Sequence, residues 1–315
     1  MTPTPTPRHR RVQPRARRRV ATLGAAIALV AGSQAAAGPG TTTAAALGSS
    51  ATAATQAEST TSERYIPAGW PNPENTGHSG TLKPMQGRTV TRNGAVIKNR
   101  VISGQMTIRA DNVTLSNVFI KTGDYYGILN YGDNLRIEHS TVEGKAPYTL
   151  AGIAAINGGD FIARKVEVRG SEDGVRLGDD SILARSLIHK LAGDRSSHYD
   201  AVTADGHTGW RIRRNTILNQ KGQTAAVWVG DSRYAPSAGK LRRNYLAGGG
   251  YTVYSGTGET RGKRKGIRIT ENVFSTRFFD RSGYYGVVYD WRKRGNTWSD
   301  NTWVDGPRRG RLVRP

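Results

Sequence analysis

The sequence contains no cysteine among its 315 residues. This absence excludes disulfide bonds, catalytic thiols and cysteine-based metal sites. The folded state must therefore be stabilised by buried apolar surface and by backbone pairing.

Acidic residues are scarce: 24 Asp and Glu stand against 46 Lys and Arg, which gives a formal net charge of +22. A positive field of this size attracts polyanions. We expect an acidic polysaccharide or another extracellular polyanion as the partner, and the alternative is a soluble basic surface without one. The runs RGKRKG (261–266) and DWRKRG (290–295) are interpreted as charged connections, so no specific nucleic acid is expected to bind.

Familiar catalytic motifs are absent too. The chain has no G-x-x-x-x-G-K-[ST], no H-E-x-x-H and no G-x-S-x-G. The phosphate-loop, zinc-protease and serine-hydrolase classes therefore have no support in the sequence.

The apolar run long enough to suggest a targeting segment lies at the N-terminus. RHRRVQPRARRR is followed by VATLGAAIALVAG and by SQAAAG, whose A-x-A ends at Ala37. This order predicts a secretory signal peptide over 1–37, and the apolar run is shorter than the roughly 20 residues that span a bilayer. A membrane anchor is the alternative. Removal of seven arginines with the signal leaves a charge of about +15.

Residues 38–64 are rich in Ala, Thr, Ser and Gly and contain no aromatic residue. Such a composition cannot bury a core, so it predicts a disordered linker. The folded domain is predicted over 65–315. We expect a secreted, extracellular monomer that is free of the membrane once the signal is cleaved.

One pattern returns nine times from residue 97 onward: an apolar residue, four others, and a second apolar residue. Successive starts lie 18 to 29 residues apart, which indicates a solenoid. The pairs are Ile97/Ile102, Leu115/Ile120, Ile137/Val142, Ala163/Val168, Leu183/Ile188, Ile212/Ile217, Leu241/Leu246, Ile269/Phe274 and Trp298/Trp303.

The repeats read as strands rather than helices, because short β-branched stretches alternate with Gly, Asp and Asn. A second strand precedes each pair, as in YGILN, DGVRL, DAVTAD and AAVWV. The pattern predicts an all-β parallel β-helix of about nine coils, with strands stacked roughly 4.8 Å apart. Asn215, Asn244, Asn272 and Asn301 recur at one position. There they are expected to adopt the left-handed conformation and to form an amide ladder.

Two segments, GWPNPENTG (69–77) and GYYGVVYDWRKRGNTWSDNTWVDG (283–306), resemble segments of a known protein family. With the repeat, they make the chain similar to the right-handed parallel β-helix proteins of the pectate-lyase-like superfamily, and in particular to secreted actinobacterial members. The resemblance covers about 65–306. It implies a right-handed β-helix and a carbohydrate-related function, although the superfamily includes both enzymes and non-catalytic binding proteins.

Aligning the upstream strands by their inward residues predicts an exposed strip along the rod. Arg176, Trp228 and Tyr254 lie on it, and we interpret them as substrate contacts: the rings can stack on sugars and the guanidinium can bind a carboxylate. Arg233 is a further candidate contact. Val288 is expected to end the strip. The alternative is that a neighbouring connection covers these rings.

Asp173 and Asp200 stand at equivalent positions in consecutive coils, so stacking brings them together. Two close carboxylates require a proton, a cation or a basic residue between them. Three roles stay open: a Ca²⁺ site, a carboxylate acid/base pair, and an ion pair with Arg176 or Arg195. A purely structural role in the bend entering the strand is the alternative.

The stretch SHYDAVTADGH (197–207) divides into two parts. Asp205 recurs as a turn residue in nearly every coil and is interpreted as structural, and His207 beyond it shares that interpretation. His198 has no such counterpart. It follows a longer connection, and the H-x-D-[AG]-[IV] string resembles the H-x-D-G element of many β-helix proteins in this superfamily.

These residues support one leading hypothesis: a secreted protein that cleaves an acidic, uronate-containing polysaccharide by β-elimination. Asp173 and Asp200 would hold Ca²⁺, Arg176 or Arg195 would neutralise the substrate carboxylate, and His198 would remove the proton. The alternatives are a non-catalytic polysaccharide- or cell-surface-binding β-helix, and a glycoside hydrolase or uronate epimerase on the same fold.

Overall fold

The computed structural model describes residues 66–156, 159–204, 206–230, 238–257 and 266–315. The predicted signal peptide and linker lie outside these ranges, as do Tyr65, Asp205 and Arg233. The described residues form strands and turns with no helix, so this part of the chain offers no helical segment that could cross a bilayer.

The strands of the first half of the domain are short, as the alternating pattern predicts. They are β1 (Lys83–Gln86), β2 (Thr89–Val90), β3 (Val96–Ser103), β4 (Met106–Ile108), β5 (Thr114–Lys121), β6 (Tyr126–Asn130), β7 (Leu135–Glu138), β8 (Thr141–Glu143), β9 (Ala151–Ala155), β10 (Phe161–Arg164), β11 (Glu167–Arg169), β12 (Asp173–Arg176) and β13 (Ile182–Ala184).

The second half continues the same order. Its strands are β14 (Leu187–Ile188), β15 (Asp200–Thr203), β16 (Arg211–Arg213), β17 (Thr216–Asn219), β18 (Ala225–Trp228), β19 (Lys240–Arg242), β20 (Tyr245–Gly248), β21 (Tyr251–Tyr254), β22 (Arg268–Thr270), β23 (Val273–Phe274), β24 (Gly286–Tyr289), β25 (Thr297–Ser299) and β26 (Thr302–Trp303).

The strands stack in parallel into two sheets, one of 17 strands and one of nine. The nine-stranded sheet contains β2, β4, β6, β9, β12, β15, β18, β21 and β24 in that order. Each strand pairs with its counterpart in the next coil, for example Leu183 with Ile212 and Leu241 with Ile269. The predicted fold class, an all-β parallel β-helix, is confirmed.

The solenoid has about seven turns rather than the nine coils predicted. Its two ends are incomplete. The first strand of the nine-stranded sheet, β2, has only two residues. At the other end, β25 and β26 extend the 17-stranded sheet, and no further strand of the nine-stranded sheet follows them among residues 266–315.

The apolar member of each repeat faces the interior. Ile102, Leu115, Val142 and Ile212, among many others, are fully buried in one continuous cluster that runs along the rod. Burial of this stack on every coil is the main source of stabilisation, since the chain has no cross-links.

A buried amide ladder forms as predicted. Nδ2 of Asn215 donates to Oδ1 of Asn244, and the same 2.9 Å bond joins Asn244 to Asn272 and Asn272 to Asn301. The prediction that these residues adopt the left-handed conformation is wrong, because positive φ falls on the residue before each one, such as Arg214 at 56°. The bend is therefore made one residue earlier, which leaves the Asn side chains free to point inward.

The nine-stranded sheet carries two consecutive inward residues in each coil. Ala201 and Val202 are both fully buried in the core. A side chain at the stacked position Gly174 would lie 2.4 Å from Cγ2 of Ile188. Strand pairing involves the second inward residue of each coil, such as Val202, and skips the first, such as Ala201. As a result the residues on either side of the inward pair both face outward, three positions apart.

A segment before the first strand lies lengthwise along the 17-stranded sheet; we call residues 66–79 the strap. The Trp70 ring packs 5.9 Å from that of Tyr245, and the backbone N–H of Gly77 donates to the carbonyl of Lys165. Only glycine fits at position 77, since its φ is +80° and a Cβ would lie 2.5 Å from Oγ1 of Thr141. The strap thus crosses several coils and fixes one face of the rod.

Candidate active site

Asp173 and Asp200 occupy the same position in adjacent coils, as predicted. Asp173 begins β12 and Asp200 begins β15, and Val175 pairs with Val202 two residues further on. Oδ1 of Asp173 accepts the backbone N–H of Asp200 at 3.0 Å, and Oδ1 of Asp200 accepts the N–H of Ala225 at 3.1 Å. These bonds to the following coil fix the orientation of both carboxyl groups.

Arg176 is the partner of Asp173. Its Nε and Nη2 both donate to Oδ2 of Asp173, at 2.8 Å and 2.6 Å. The contact depends on the two inward residues between them, because these bring positions 173 and 176 to the same side of the strand. Of the two ion pairs open from the sequence, the structure forms the one with Arg176.

The two carboxyl groups differ in their charged neighbours. Both residues are almost completely buried, with 3% of Asp173 and 4% of Asp200 exposed. Burial raises the pKa of Asp200 well above its usual range, and the negative charge of Asp173 raises it further against the opposing charge of Arg176. The pKa of Asp173 is raised as well, because burial outweighs the opposing charge and hydrogen bonds of Arg176.

Both shifts favour a proton on the pair, and the bonds from Arg176 favour Asp173 as the group that is ionised when the other is protonated. Since Oδ1 of Asp200 accepts the N–H of Ala225, a proton on Asp200 would be carried by Oδ2. One acid and one carboxylate side by side form the arrangement that acid/base chemistry requires.

The pair lies at a cavity of about 420 Å³. Apolar Ala155 and Ile156 line it on the side of the earlier coils, and Trp228 lines it on the side of the later ones. His207 also contributes, with its Nδ1 3.4 Å from Oδ1 of Asp179. The full lining is Ala155, Ile156, Asp173, Arg176, Leu177, Asp200, Thr203, His207 and Trp228.

An aromatic ledge continues from the cavity along the rod; we use this name for Trp228, Tyr251, Tyr254 and Tyr289. Trp228 and Tyr254 pair at the same position in adjacent coils, with ring centroids 6.0 Å apart. Tyr254 lies 5.0 Å from Tyr289, and Tyr251 lies 5.6 Å from Tyr254. Trp228 and Tyr254 thus share the predicted register with the position of Arg176, and all three side chains are half-buried rather than fully exposed.

The end of the strip differs from the prediction. Val288 pairs with the inward Val253, and Tyr289 pairs with Tyr254, so the last strand is shifted by one residue. The two adjacent valines in YGVVYD made the alignment ambiguous. The recurrence of tyrosines around a short strand, in YTVY (251–254) and YGVVY (285–289), is the signal that would have identified Tyr289.

Trp228 also has an unsatisfied donor. Its Nε1 is buried, and the described part of the chain provides no hydrogen-bond partner for it. A buried N–H without a partner is costly unless a ligand supplies an acceptor, and Trp228 forms part of the cavity wall.

His198 and Arg195 lie elsewhere. Both side chains are exposed, and neither is among the described residues that line the cavity. The connection before β15 folds on itself, because the Asp194 side chain accepts the N–H of Ser196 and the Tyr199 hydroxyl donates to the Asp194 carbonyl. His198 is exposed, whereas Asp200 two residues later is buried at the cavity, and His198 does not join the residues that line it.

The donor set suits Ca²⁺ poorly. Both oxygens of Asp173 are already engaged, by the N–H of Asp200 and by Arg176. Among the described residues, no three His, Cys, Asp or Glu side chains converge on a common point. Calcium requires six to eight oxygen ligands, and the guanidinium occupies the place where a cation would neutralise the pair.

Comparisons with known proteins add little beyond the architecture. No family model matches the chain, and no curated protein is found as a relative. Among solved structures the chain is similar to rice weevil pectin methyl esterase, with 13% identity and a TM-score of 0.29 over 63% of this chain and 58% of that one. The match spans less than two thirds of the weevil protein, and at this level of similarity no activity follows from it.

Proposed function

We propose that the protein is a secreted carbohydrate-active hydrolase that acts on an acidic, uronate-containing polysaccharide, with Asp200 as the acid and Asp173 as the carboxylate. The observation that carries the proposal is the buried pair itself: two carboxyl groups in adjacent coils at a cavity, both with pKa values raised by burial and one of them bonded by Arg176. Secretion rests on the N-terminal sequence, with cleavage near Ala37.

The geometry favours a mechanism in which Asp173 acts directly. Neighbouring strands of a sheet lie about 4.8 Å apart, and carboxyl groups separated by about 5 Å suit a nucleophile and an acid in retaining glycoside hydrolysis. In this scheme Asp200 gives its Oδ2 proton to the leaving oxygen as Asp173 attacks the anomeric carbon. Water then releases the sugar, with Asp200 accepting its proton.

Arg176 has two functions in this proposal. It holds Asp173 ionised, and its Nη1, which does not bond Asp173, is available for a substrate carboxylate. Bidentate and charge-assisted contacts of this kind are the common way in which proteins bind carboxylates. Acidic sugars are therefore the substrate class that the cavity suits.

The aromatic ledge extends the substrate site along the rod. Stacked aromatic faces suit sugar rings, and Trp228 joins the ledge to the cavity. This ledge is also the observation that favours the second candidate, a non-catalytic polysaccharide-binding β-helix, since binding by stacking requires no carboxyl pair.

β-Elimination and its Ca²⁺ requirement remain a third hypothesis with less support. The intended base, His198, is exposed away from the cavity, and Arg176 holds the carboxylate that was to bind the metal.

The test is product analysis on a panel of polyuronates, with and without a chelator. Hydrolysis gives new reducing ends without ultraviolet absorbance and is unaffected by the chelator. Elimination gives absorbing unsaturated ends. Binding of a polyuronate without any product would support the second candidate, a non-catalytic polysaccharide-binding β-helix.

A further inference from the structure

A second functional surface lies on the other sheet, away from the aspartate pair. In four consecutive coils a cationic residue occupies the bend between the two strands that each coil adds to the 17-stranded sheet. These residues, Lys165, Arg185, Arg214 and Arg243, form what we call the cation ladder. Stacked coils place its members about 4.8 Å apart.

The backbone conformation at the ladder positions does not account for the choice of cations. The four residues have φ between 51° and 57°, with values of 52°, 52°, 56° and 55°. Gly, Asn and Asp tolerate this left-handed region best, and bulkier side chains adopt it at a cost. The same bend is made by Asn99, Asn117 and His139 in earlier coils and by Glu271 and Asp300 in later ones, so the bend itself does not require a cation.

The ladder's charge is largely uncompensated. Glu271 pairs with Arg243 at the end of the ladder, while Lys165, Arg185 and Arg214 have no ion pair within the described ranges. Further cations flank the ladder at Arg164, Arg211, Arg213, Lys240 and Arg268, all exposed. Burial and the surrounding arginines lower the pKa of Arg213, which reflects the density of positive charge.

A groove runs beside the ladder, with the strap as its other wall. The cavity there has a volume of about 570 Å³ and is lined by all four ladder residues and by Gly69, Trp70, Pro71 and Asn75. Trp70 brings an aromatic ring beside a row of guanidinium groups. The groove therefore combines charge contacts at regular intervals with an apolar wall.

We propose that this groove binds a stretch of a linear polysaccharide bearing carboxylates, separately from the cavity at Asp173 and Asp200. Arginine binds carboxylates through charge-assisted, often bidentate bonds, and evenly spaced cations match a polymer that carries a charge on each unit. A nucleic acid strand suits the groove less well, because such sites stack successive bases on several aromatic rings and only Trp70 lines this one. The proposal does not depend on hydrolysis at the aspartate pair.

The test uses the full chain and a size-defined polygalacturonate as the probe, with the dissociation constant measured at two salt concentrations. The ladder variant is Arg185→Asn with Arg214→Asn, because Asn suits the left-handed bend and the fold should be retained. The matched control is Arg88→Asn with Arg309→Asn, two exposed positions that remove the same charge. We expect the ladder variant to bind at least about tenfold more weakly and to show a smaller salt dependence, while the control stays within about twofold.

Equal weakening of both double variants would show that net charge alone drives binding and would overturn the proposal. Unchanged binding in the ladder variant would overturn it too. Single-stranded DNA and a sulfated polysaccharide are the competing probes: tighter binding of either one, lost in the ladder variant, would make the carboxylate assignment wrong. Asp200→Asn should bind the polymer normally through the groove, so failure of the hydrolase proposal and failure of this one are distinguishable.

Discussion

Replacing Glu167 by Gln is expected to destabilise the protein and to remove a large part of its acid sensitivity. Glu167 is 7% exposed on the outer side of β11, beneath the strap. Its Oε1 accepts bonds from Nε2 of His189 at 2.9 Å and from Nη1 of Arg169 at 2.6 Å. Burial raises the pKa of Glu167, but hydrogen bonding to His189 and Arg169 outweighs it and lowers the pKa to about 2.

The magnitude follows from the difference between that value and the ordinary 4.5. Each tenfold change in proton affinity is about 1.4 kcal/mol, so the ionised, paired form of Glu167 contributes roughly 3 kcal/mol. The folded carboxyl binds its proton more weakly than the unfolded one. This contribution is therefore complete above about pH 4.5 and is lost as the pH falls towards 2.

The assay is denaturant unfolding followed by tryptophan fluorescence between pH 7 and pH 3. At pH 7, Glu167→Gln should lower the free energy of unfolding by roughly 3 kcal/mol. Below pH 4.5 the variant and the wild type should converge. Glu271→Gln is the matched control: Glu271 also pairs with two arginines, but at the surface, where such pairs contribute little. Equal effects of the two substitutions, or a gap as large at pH 3 as at pH 7, would refute the reasoning.

Four further outcomes are expected. The rate on a polyuronate should fall as the pH rises through the pKa of Asp200, whose acid form is required; a rate that rises over that range would contradict an acid role. Trp228→Ala should weaken sugar binding about tenfold, since stacking and a buried N–H are both lost, and an unchanged KM would contradict the ledge. Asn244→Ala should cost about 2–3 kcal/mol, because it leaves its ladder partners buried and unpaired, and an unchanged free energy of unfolding would contradict this role of the ladder. Chelation should leave activity unchanged, and its loss would restore the calcium hypothesis.

The fold could be predicted because the repeat specifies it directly. A fixed spacing of apolar residues such as Ile212 and Ile217 determines which side chains stack, and the recurrence of Asn215 in later coils determines the amide ladder. Stacking of Asp173 on Asp200 follows from the same register, so the centre of the candidate site was within reach of the sequence.

The environment of the site was less accessible. The bond between Arg176 and Asp173 depends on two consecutive inward residues, which strict alternation along a strand does not give. The exposure of His198 depends on the path of its connection, which hydrogen bonds around Asp194 hold and which the sequence pattern does not specify. The burial of Glu167 could not be predicted from its own repeat, because it depends on the strap, about 90 residues earlier in the chain.

The most direct measurement of the central claim is the activity and stability of Asp200→Asn, with Asp300→Asn as the exposed control. Asn retains an oxygen for the Ala225 N–H but cannot supply a proton, so hydrolysis should fall at least about 100-fold. A buried carboxyl whose pKa is raised loses stability as the pH rises through that pKa, so the variant should be more stable than the wild type at high pH. An active variant, or one that is inactive only because it unfolds, would contradict the account.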